Sequence, residues 1–202
     1  HDSHRRQRQM CIRDRFEASY RFLGGDEETL WFFSNLDAPN GKILNLTIKE
    51  NEFEWSEVIP EKNYPLSGAS LAGDKLVLNY LVDTISKVEF YNLNGTFIKE
   101  LPYENKGTLS GFGGKLGTRI SYFEFSNFTS PQRIYELDLE TLNFSLYWET
   151  SIDGMNSDDF ESKLEFYESK DGTRIPIHIA HKKGINLDAD TPVLIYGYGG
   201  FN

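Results

Sequence analysis

The sequence has almost no cysteine, no long apolar run and a deficit of basic residues. The single cysteine, Cys11, excludes a scaffold held together by internal disulfides. No apolar run approaches the roughly 20 residues that a membrane-spanning helix needs. The 202 residues carry 21 lysines and arginines against 31 aspartates and glutamates, a net charge of −10. Because binders of duplex nucleic acid or anionic membranes normally have a basic surplus, we expect neither partner.

Residues 1–15 differ in composition from everything that follows. They hold five of the nine arginines, Cys11 and one of the two methionines, and they lack both apolar periodicity and the hydrophobic stretch of a signal peptide. The segment RQMCIRDR resembles translated sequencing-adapter sequence, so we interpret residues 1–15 as a non-native head. A basic arm that binds an anion is the alternative. From Phe16 onward, 16 basic residues stand against 29 acidic ones, a net charge of −13.

Three stretches of the chain follow one plan, in which an alternating strand, a polar turn, a basic residue and a second alternating strand succeed one another. The dipeptides that open each second strand recur with periods of 45 and 46 residues. A further strand precedes each pair and another follows it. Alternating aromatic and β-branched residues indicate strands, and the Gly, Asn and Asp clusters between them indicate hairpin turns. The repeated dipeptides are Lys42-Ile43, Lys87-Val88 and Arg133-Ile134.

A repeat of about 45 residues with four short antiparallel strands is typical of a β-propeller blade. A β-sandwich is the competing hypothesis, although a sandwich need not repeat at a fixed period. We therefore predict a mainly β fold in which residues 16–149 form a partial β-propeller of about three four-stranded blades. Because propellers typically close with 4 to 8 blades, three blades are too few, so we expect either that the chain is part of a longer protein or that it borrows partners.

The pattern changes after Trp148. We predict a solvated acidic linker at residues 150–160, followed by new strands with Asp171-Gly172 as a two-residue hairpin turn between Phe166 and Ile177. The segment TPVLIYGYGG, from Thr191, predicts an apolar strand that runs into a glycine-rich loop. Loops in this position, beyond the carboxyl end of a strand, are where α/β enzymes build their sites.

The segments KDGTRIPIHIAHKKG and TPVLIYGYGGFN resemble the junction between the propeller and the α/β-hydrolase domain of the prolyl oligopeptidase family. The resemblance extends back through the blades and includes SNFTSP at residues 126–131. It implies that the chain is an internal fragment of a longer protein and that residues 161–202 are the truncated start of an α/β-hydrolase domain. It also implies a serine-type endopeptidase that cleaves short peptides on the carboxyl side of proline, with the propeller gating access.

The resemblance assigns roles to three residues near the end of the sequence. Tyr198 would donate its hydroxyl to the oxyanion of the tetrahedral intermediate, and Phe201 and Asn202 would lie at the substrate pocket. The sequence has no G-x-S-x-G elbow, and His178 and His181 precede the position where a nucleophile would come. We therefore expect the Ser-Asp-His triad to lie outside these 202 residues and the chain alone to be inactive. No metal or other cofactor is expected.

Two rival functions stay open. One is an oligopeptidase B-like peptidase that cuts after basic residues, although that branch tends to carry Ser-Tyr where Gly200-Phe201 stand here. The other is a propeller that only binds partners. The expected partners are short proline-containing peptides, and the parent protein is expected to be monomeric. We expect a cytoplasmic location, with a periplasmic or secreted one also open.

Overall fold

The computed structural model describes residues 18–49, 52–188 and 190–197, and these form two compact units. The first unit comprises the described residues up to Asn127 together with Pro131–Ser151, and the second comprises Phe128–Ser130 and those from Ile152 onward. The strands of the first unit are β1 Tyr20–Gly25, β2 Thr29–Ser34, β3 Lys42–Lys49, β4 Glu52–Ile59, β5 Leu66–Ala72, β6 Lys75–Val82, β7 Ile85–Asn92, β8 Phe97–Glu100, β9 Thr108–Gly111, β10 Ile120–Ser126, β11 Arg133–Asp138 and β12 Phe144–Glu149. Those of the second unit are β13 Phe160–Glu168 and β14 Arg174–Lys182, preceded by a single 3-10 turn at Ser157–Asp159.

The first unit consists of three four-stranded antiparallel sheets, which we call sheet 1 (β1–β4), sheet 2 (β5–β8) and sheet 3 (β9–β12). Within each sheet the strands lie side by side in chain order, so every connection is a hairpin. The predicted repeat of four strands is confirmed. Lys42, Lys87 and Arg133 each lie at or near the start of the third strand of their sheet.

Sheet 2 is buried on both faces, and its strand β6 is apolar at six of its eight positions. Successive side chains of a strand point to opposite faces. Accordingly Leu76 and Leu78 of β6 enter the core that is shared with sheet 1, whereas Val77 between them enters the core shared with sheet 3. Phe90 and Tyr91 of β7 divide in the same way. Full burial of side chains of this size stabilises the fold by about 1.5–3 kcal/mol each.

Two glycines allow neighbouring sheets to approach. Gly95 lies in the β7–β8 turn with φ +84°, and a Cβ atom there would lie 2.2 Å from the carbonyl oxygen of Val58 in β4. Gly73, with φ +62°, lies in the β5–β6 turn, and a Cβ atom there would lie 2.5 Å from the carbonyl oxygen of Thr118. Each position requires both a left-handed backbone and the absence of a side chain. A polar link also joins sheets 1 and 2, since Trp31 Nε1 donates to the Leu93 carbonyl oxygen at 3.0 Å.

The second unit contains the predicted hairpin, with Phe166 opposite Pro176. Its turn is longer than the two-residue turn expected for Asp171-Gly172. The Ser169 N–H donates to the Thr173 carbonyl oxygen, so three residues lie between this pair, and Gly172 adopts φ +82°. This arrangement, with a glycine in the left-handed region, is typical of three-residue hairpin loops.

The apolar strand predicted from Thr191 is wrong for the described part of that segment. Residues 192–197 have no strand assignment, and the side chains of Val193, Leu194, Ile195 and Tyr196 are 78–94% exposed. An extended segment becomes a strand only by pairing its backbone with a neighbour, and no described strand lies alongside this one. A continuous apolar run of this kind is typical of strands with neighbours on both edges and layers on both faces.

Within the described residues, no helix has both the length and the apolar character that crossing a membrane would require.

Candidate functional site

The three residues to which the resemblance assigned roles, Tyr198, Phe201 and Asn202, lie outside the described residues. Their roles therefore stay predictions. The described part of the same segment ends at Gly197.

The two histidines of the hairpin do not form a metal pair. In β14, His178 lies opposite Leu164 and His181 lies opposite Glu161, and residues three apart on a strand point to opposite faces. His181 Nδ1 lies 3.6 Å from Glu161 Oε1, and the ring of His178 packs on Phe128 with centroids 5.1 Å apart. In the described ranges no group of three or more His, Cys, Asp or Glu side chains could hold a metal ion.

The first unit contains a groove of about 320 Å³ that sequence reasoning missed. The first strands of all three sheets contribute to its wall: Arg21 comes from β1, Ser67 and Ser70 from β5, and Thr108 and Ser110 from β9. First strands pair on one edge only, because each has a single neighbour in its sheet. The hydroxyl groups and the one cation of the described lining lie on or beside these strands, and apolar side chains such as Val77, Leu109 and Phe112 complete the wall.

A signal for this groove exists in the sequence. Strand β5 reads LSGASLA and β9 reads TLSG, whereas the second strands of the sheets are rich in large apolar residues. Small polar residues leave space where two first strands approach. The alternation pattern identifies these segments as strands, but it does not show that three of them meet.

A second polar feature is a buried ion pair in sheet 2. Glu89 of β7 is 3% exposed, and its Oε2 accepts hydrogen bonds of 2.5 Å from Lys62 Nζ and from the Tyr91 hydroxyl. The Lys62 ammonium lies over three tyrosine rings, with centroid distances of 4.8 Å to Tyr80, 5.6 Å to Tyr91 and 5.9 Å to Tyr64. Cation–π attraction and the ion pair together hold this lysine in place.

The surroundings of this pair favour its charged state. Burial opposes ionisation of Glu89, but hydrogen bonds from Lys62 and Tyr91 outweigh it and lower the pKa of this carboxyl. Burial likewise opposes the charge on Lys62, yet the hydrogen bond to Glu89 and the nearby tyrosines raise the pKa of the ammonium. Burial is the main cause of the raised pKa of Tyr91. Because these groups already bond to one another, we interpret the cluster as structural. The hydrogen bond between Lys62 and Glu89 holds the β4–β5 connection against sheet 2.

Comparison with known proteins agrees with this architecture. A sequence profile described as "Prolyl oligopeptidase, N-terminal beta-propeller domain" matches residues 2–150. The chain belongs to the prolyl oligopeptidase family. The match covers nearly all of the described part of the first unit, and it identifies sheets 1–3 as propeller blades.

The similarity continues into the second unit. The chain is 33% identical to the prolyl endopeptidase of Elizabethkingia meningoseptica over 188 residues, which cover 93% of this chain and 26% of that protein. It is 32% identical to the prolyl endopeptidase of Dictyostelium discoideum, covering 94% and 26%. The chain thus spans about a quarter of the length of these curated relatives.

Solved structures of the family have the same fold. A structure from a study of two prolyl endopeptidases and their inter-domain dynamics aligns with a TM-score of 0.75 and 30% identity, over 86% of this chain and 25% of that one. The apo structure of prolyl oligopeptidase B from Galerina marginata aligns with a TM-score of 0.78 and 26% identity, over 88% and 26%.

Proposed function

We propose that this chain is part of a serine endopeptidase that hydrolyses short peptides on the carboxyl side of proline. The observation that carries the proposal is the similarity to prolyl endopeptidases, which extends over 93% of the chain. In this proposal the blades restrict access to the active site, and the residues of the triad come from the remainder of the longer protein.

Tyr198 would supply part of the oxyanion hole. A hydroxyl that is already oriented toward the position of the developing oxyanion stabilises the transition state more than the ground state. Removing one such donor typically lowers kcat by about 10²–10³. Phe201 would form an apolar surface for the proline ring, and Asn202 would lie beside it.

The test uses the uninterrupted reading frame that contains this chain. We expect the sequence after Asn202 to contain a G-x-S-x-G elbow, then an aspartate, then a histidine. The purified longer protein should cleave a chromogenic peptide after proline and not after arginine. A frame without the elbow would contradict the enzyme proposal, and preferential cleavage after arginine would contradict the proline specificity.

The role of Tyr198 has its own test in the longer protein. Tyr198→Phe should lower kcat by about 10²–10³ with little change in KM, because the hydroxyl acts only in the transition state. Tyr147→Phe is the matched control, since Tyr147 is an exposed tyrosine of β12, and it should leave kcat unchanged. Equal kcat values for Tyr198→Phe and the unsubstituted protein would remove Tyr198 from the oxyanion hole. The 202-residue chain alone should give no turnover above a mock preparation.

A further inference from the structure

The groove between the first strands has a defined hydrogen-bonding character. Ser67 Oγ donates to the Asn79 carbonyl oxygen at 2.8 Å, Ser70 Oγ donates to the Phe112 carbonyl oxygen at 2.7 Å, and Ser110 Oγ donates to Glu124 Oε1 at 2.5 Å. A hydroxyl has one proton to donate and two lone pairs that accept. The hydroxyl protons of all three serines are therefore used in hydrogen bonds within the protein. These side chains can offer a ligand only the acceptor lone pairs of their oxygens.

Arg21 supplies the complementary group. Its guanidinium is positioned over the ring of Phe33, 5.3 Å from the centroid, and it forms no salt bridge with a carboxylate among the described residues. Among the described residues, it is the one charged side chain that lines the groove. In a chain with a net charge of −10, this guanidinium provides a local positive charge on a groove whose serines present acceptor oxygens. Guanidinium binds carboxylates through two parallel hydrogen bonds.

We propose that this groove, which Arg21 and the serines of β5 and β9 line, binds a peptide segment that carries a carboxylate. The carboxylate pairs with Arg21, and the backbone N–H groups that precede it donate to Ser67 and Ser70. A volume of about 320 Å³ lies at the lower end of the range for small-molecule pockets and limits the buried part of the ligand to a few residues. That the carboxylate belongs to a peptide rests on the proposed function, whereas the donor and acceptor pattern does not.

The carboxylate could be the C-terminus of a peptide or a small free acid, and the experiment separates them. The ¹⁵N-labelled 202-residue chain is titrated with the tripeptide Ala-Pro-Gly, with its C-terminal amide, and with acetate. We expect the free tripeptide to shift the amide signals of Gly68, Ser70 and Gly111, with a Kd in the millimolar range. The amidated peptide should bind at least fivefold more weakly. Acetate binding as tightly as the tripeptide would overturn the peptide part of the proposal.

Variants locate the interaction. Arg21→Gln should weaken tripeptide binding at least fivefold, and Arg21→Lys should restore part of it because the charge remains. Arg119→Gln is the matched control, since Arg119 is an exposed arginine of the same unit that pairs with Asp138 at 3.0 Å. It should leave tripeptide binding unchanged. Equal binding by Arg21→Gln and the unsubstituted chain, or shifts that fall elsewhere, would overturn the site.

Different results would contradict the peptidase proposal and the groove proposal. If the longer protein does not cleave after proline but this chain binds the tripeptide through Arg21, the groove stands and the peptidase assignment falls. If the longer protein cleaves after proline and Arg21→Gln changes neither the tripeptide Kd nor the KM for a free-carboxylate substrate, the groove proposal falls alone.

Discussion

Sheet 2 and the β13–β14 hairpin are both built from antiparallel strands, but they differ in how far their side chains are buried. Sheet 2 has neighbours on both faces, and its central side chains, such as Leu76 and Phe90, are fully buried. The hairpin is longer, with nine residues in each strand, yet none of its residues is buried. Strand formation is therefore a local property here, whereas stability comes from a second layer. An isolated two-stranded hairpin is marginal in water for the same reason.

The largest expected effect is the removal of a core aromatic from sheet 3. Phe123 is 1% exposed, stacks on Phe112 and Tyr135 with centroids 4.9 and 5.1 Å apart, and contacts Tyr103 and Phe144 edge-on or nearly so. Phe123→Ala should lower the free energy of unfolding by about 3–5 kcal/mol, measured by urea denaturation. Phe123→Leu should recover most of this loss. A change below about 1 kcal/mol for Phe123→Ala would contradict the packing described for sheets 2 and 3.

The next effect separates steric contact from backbone strain. Gly95→Ala should lower the free energy of unfolding by about 2–3 kcal/mol, because the left-handed backbone costs about 1–2 kcal/mol and the new Cβ atom meets the Val58 carbonyl oxygen. Gly117 has a similar φ of +77° with nothing within 4 Å of an added Cβ atom, so Gly117→Ala should cost only about 1–2 kcal/mol. Equal losses in thermal or urea unfolding would show that sheets 1 and 2 do not approach at Gly95.

The ion pair of sheet 2 predicts a pH dependence. The pKa of Glu89 in the folded protein lies below its usual value of 4.5. The stability that its ionised form provides is therefore fully present above that value and is lost as pH falls through the lowered pKa. At pH 7, Glu89→Gln should destabilise the protein by about 2 kcal/mol, since it leaves Lys62 without its carboxylate.

The difference between Glu89→Gln and the unsubstituted chain should shrink as pH is lowered from 5 toward 3, as measured by urea denaturation at each pH. Glu100→Gln is the control. The Glu100 side chain is 53% exposed and lies 3.4 Å from Lys87, so its substitution should cost no more than about 1 kcal/mol. A Glu89→Gln difference that is constant from pH 7 to 3 would contradict a buried, charged Glu89.

The smallest effect is expected in the hairpin. Tyr167 of β13 is 51% exposed, so Tyr167→Ala should change the free energy of unfolding of the first unit by less than about 0.5 kcal/mol. The chemical denaturation curve, followed by the fluorescence of Trp31 and Trp55 in sheet 1, reports on that unit. A loss comparable to that of Phe123→Ala would mean that both units share one cooperative core.

Local patterns in the sequence were sufficient for most of the first unit. Alternation and turn residues predicted the strands, and the 45-residue repeat predicted their grouping into four, because hairpins depend on neighbours in the sequence. The pairing of Lys62 with Glu89 and the position of Arg21 and Ser70 on the wall of one groove could not be predicted, because each depends on residues that only packing brings together. The strand expected at residues 192–197 failed for a related reason: its composition suits a buried strand, but no described strand pairs with it.

Native-state hydrogen exchange on the 202-residue chain tests the central contrast most directly. Amides of β6, β7 and β10 should exchange slowly and at similar rates, because they open only when the sheets unfold together. Amides of β13 and β14 should exchange much faster, and those of residues 193–197 should have no protection. Equal protection in β6 and β13 would contradict the account, because it would show that the hairpin is stabilised to the same extent as the propeller blades.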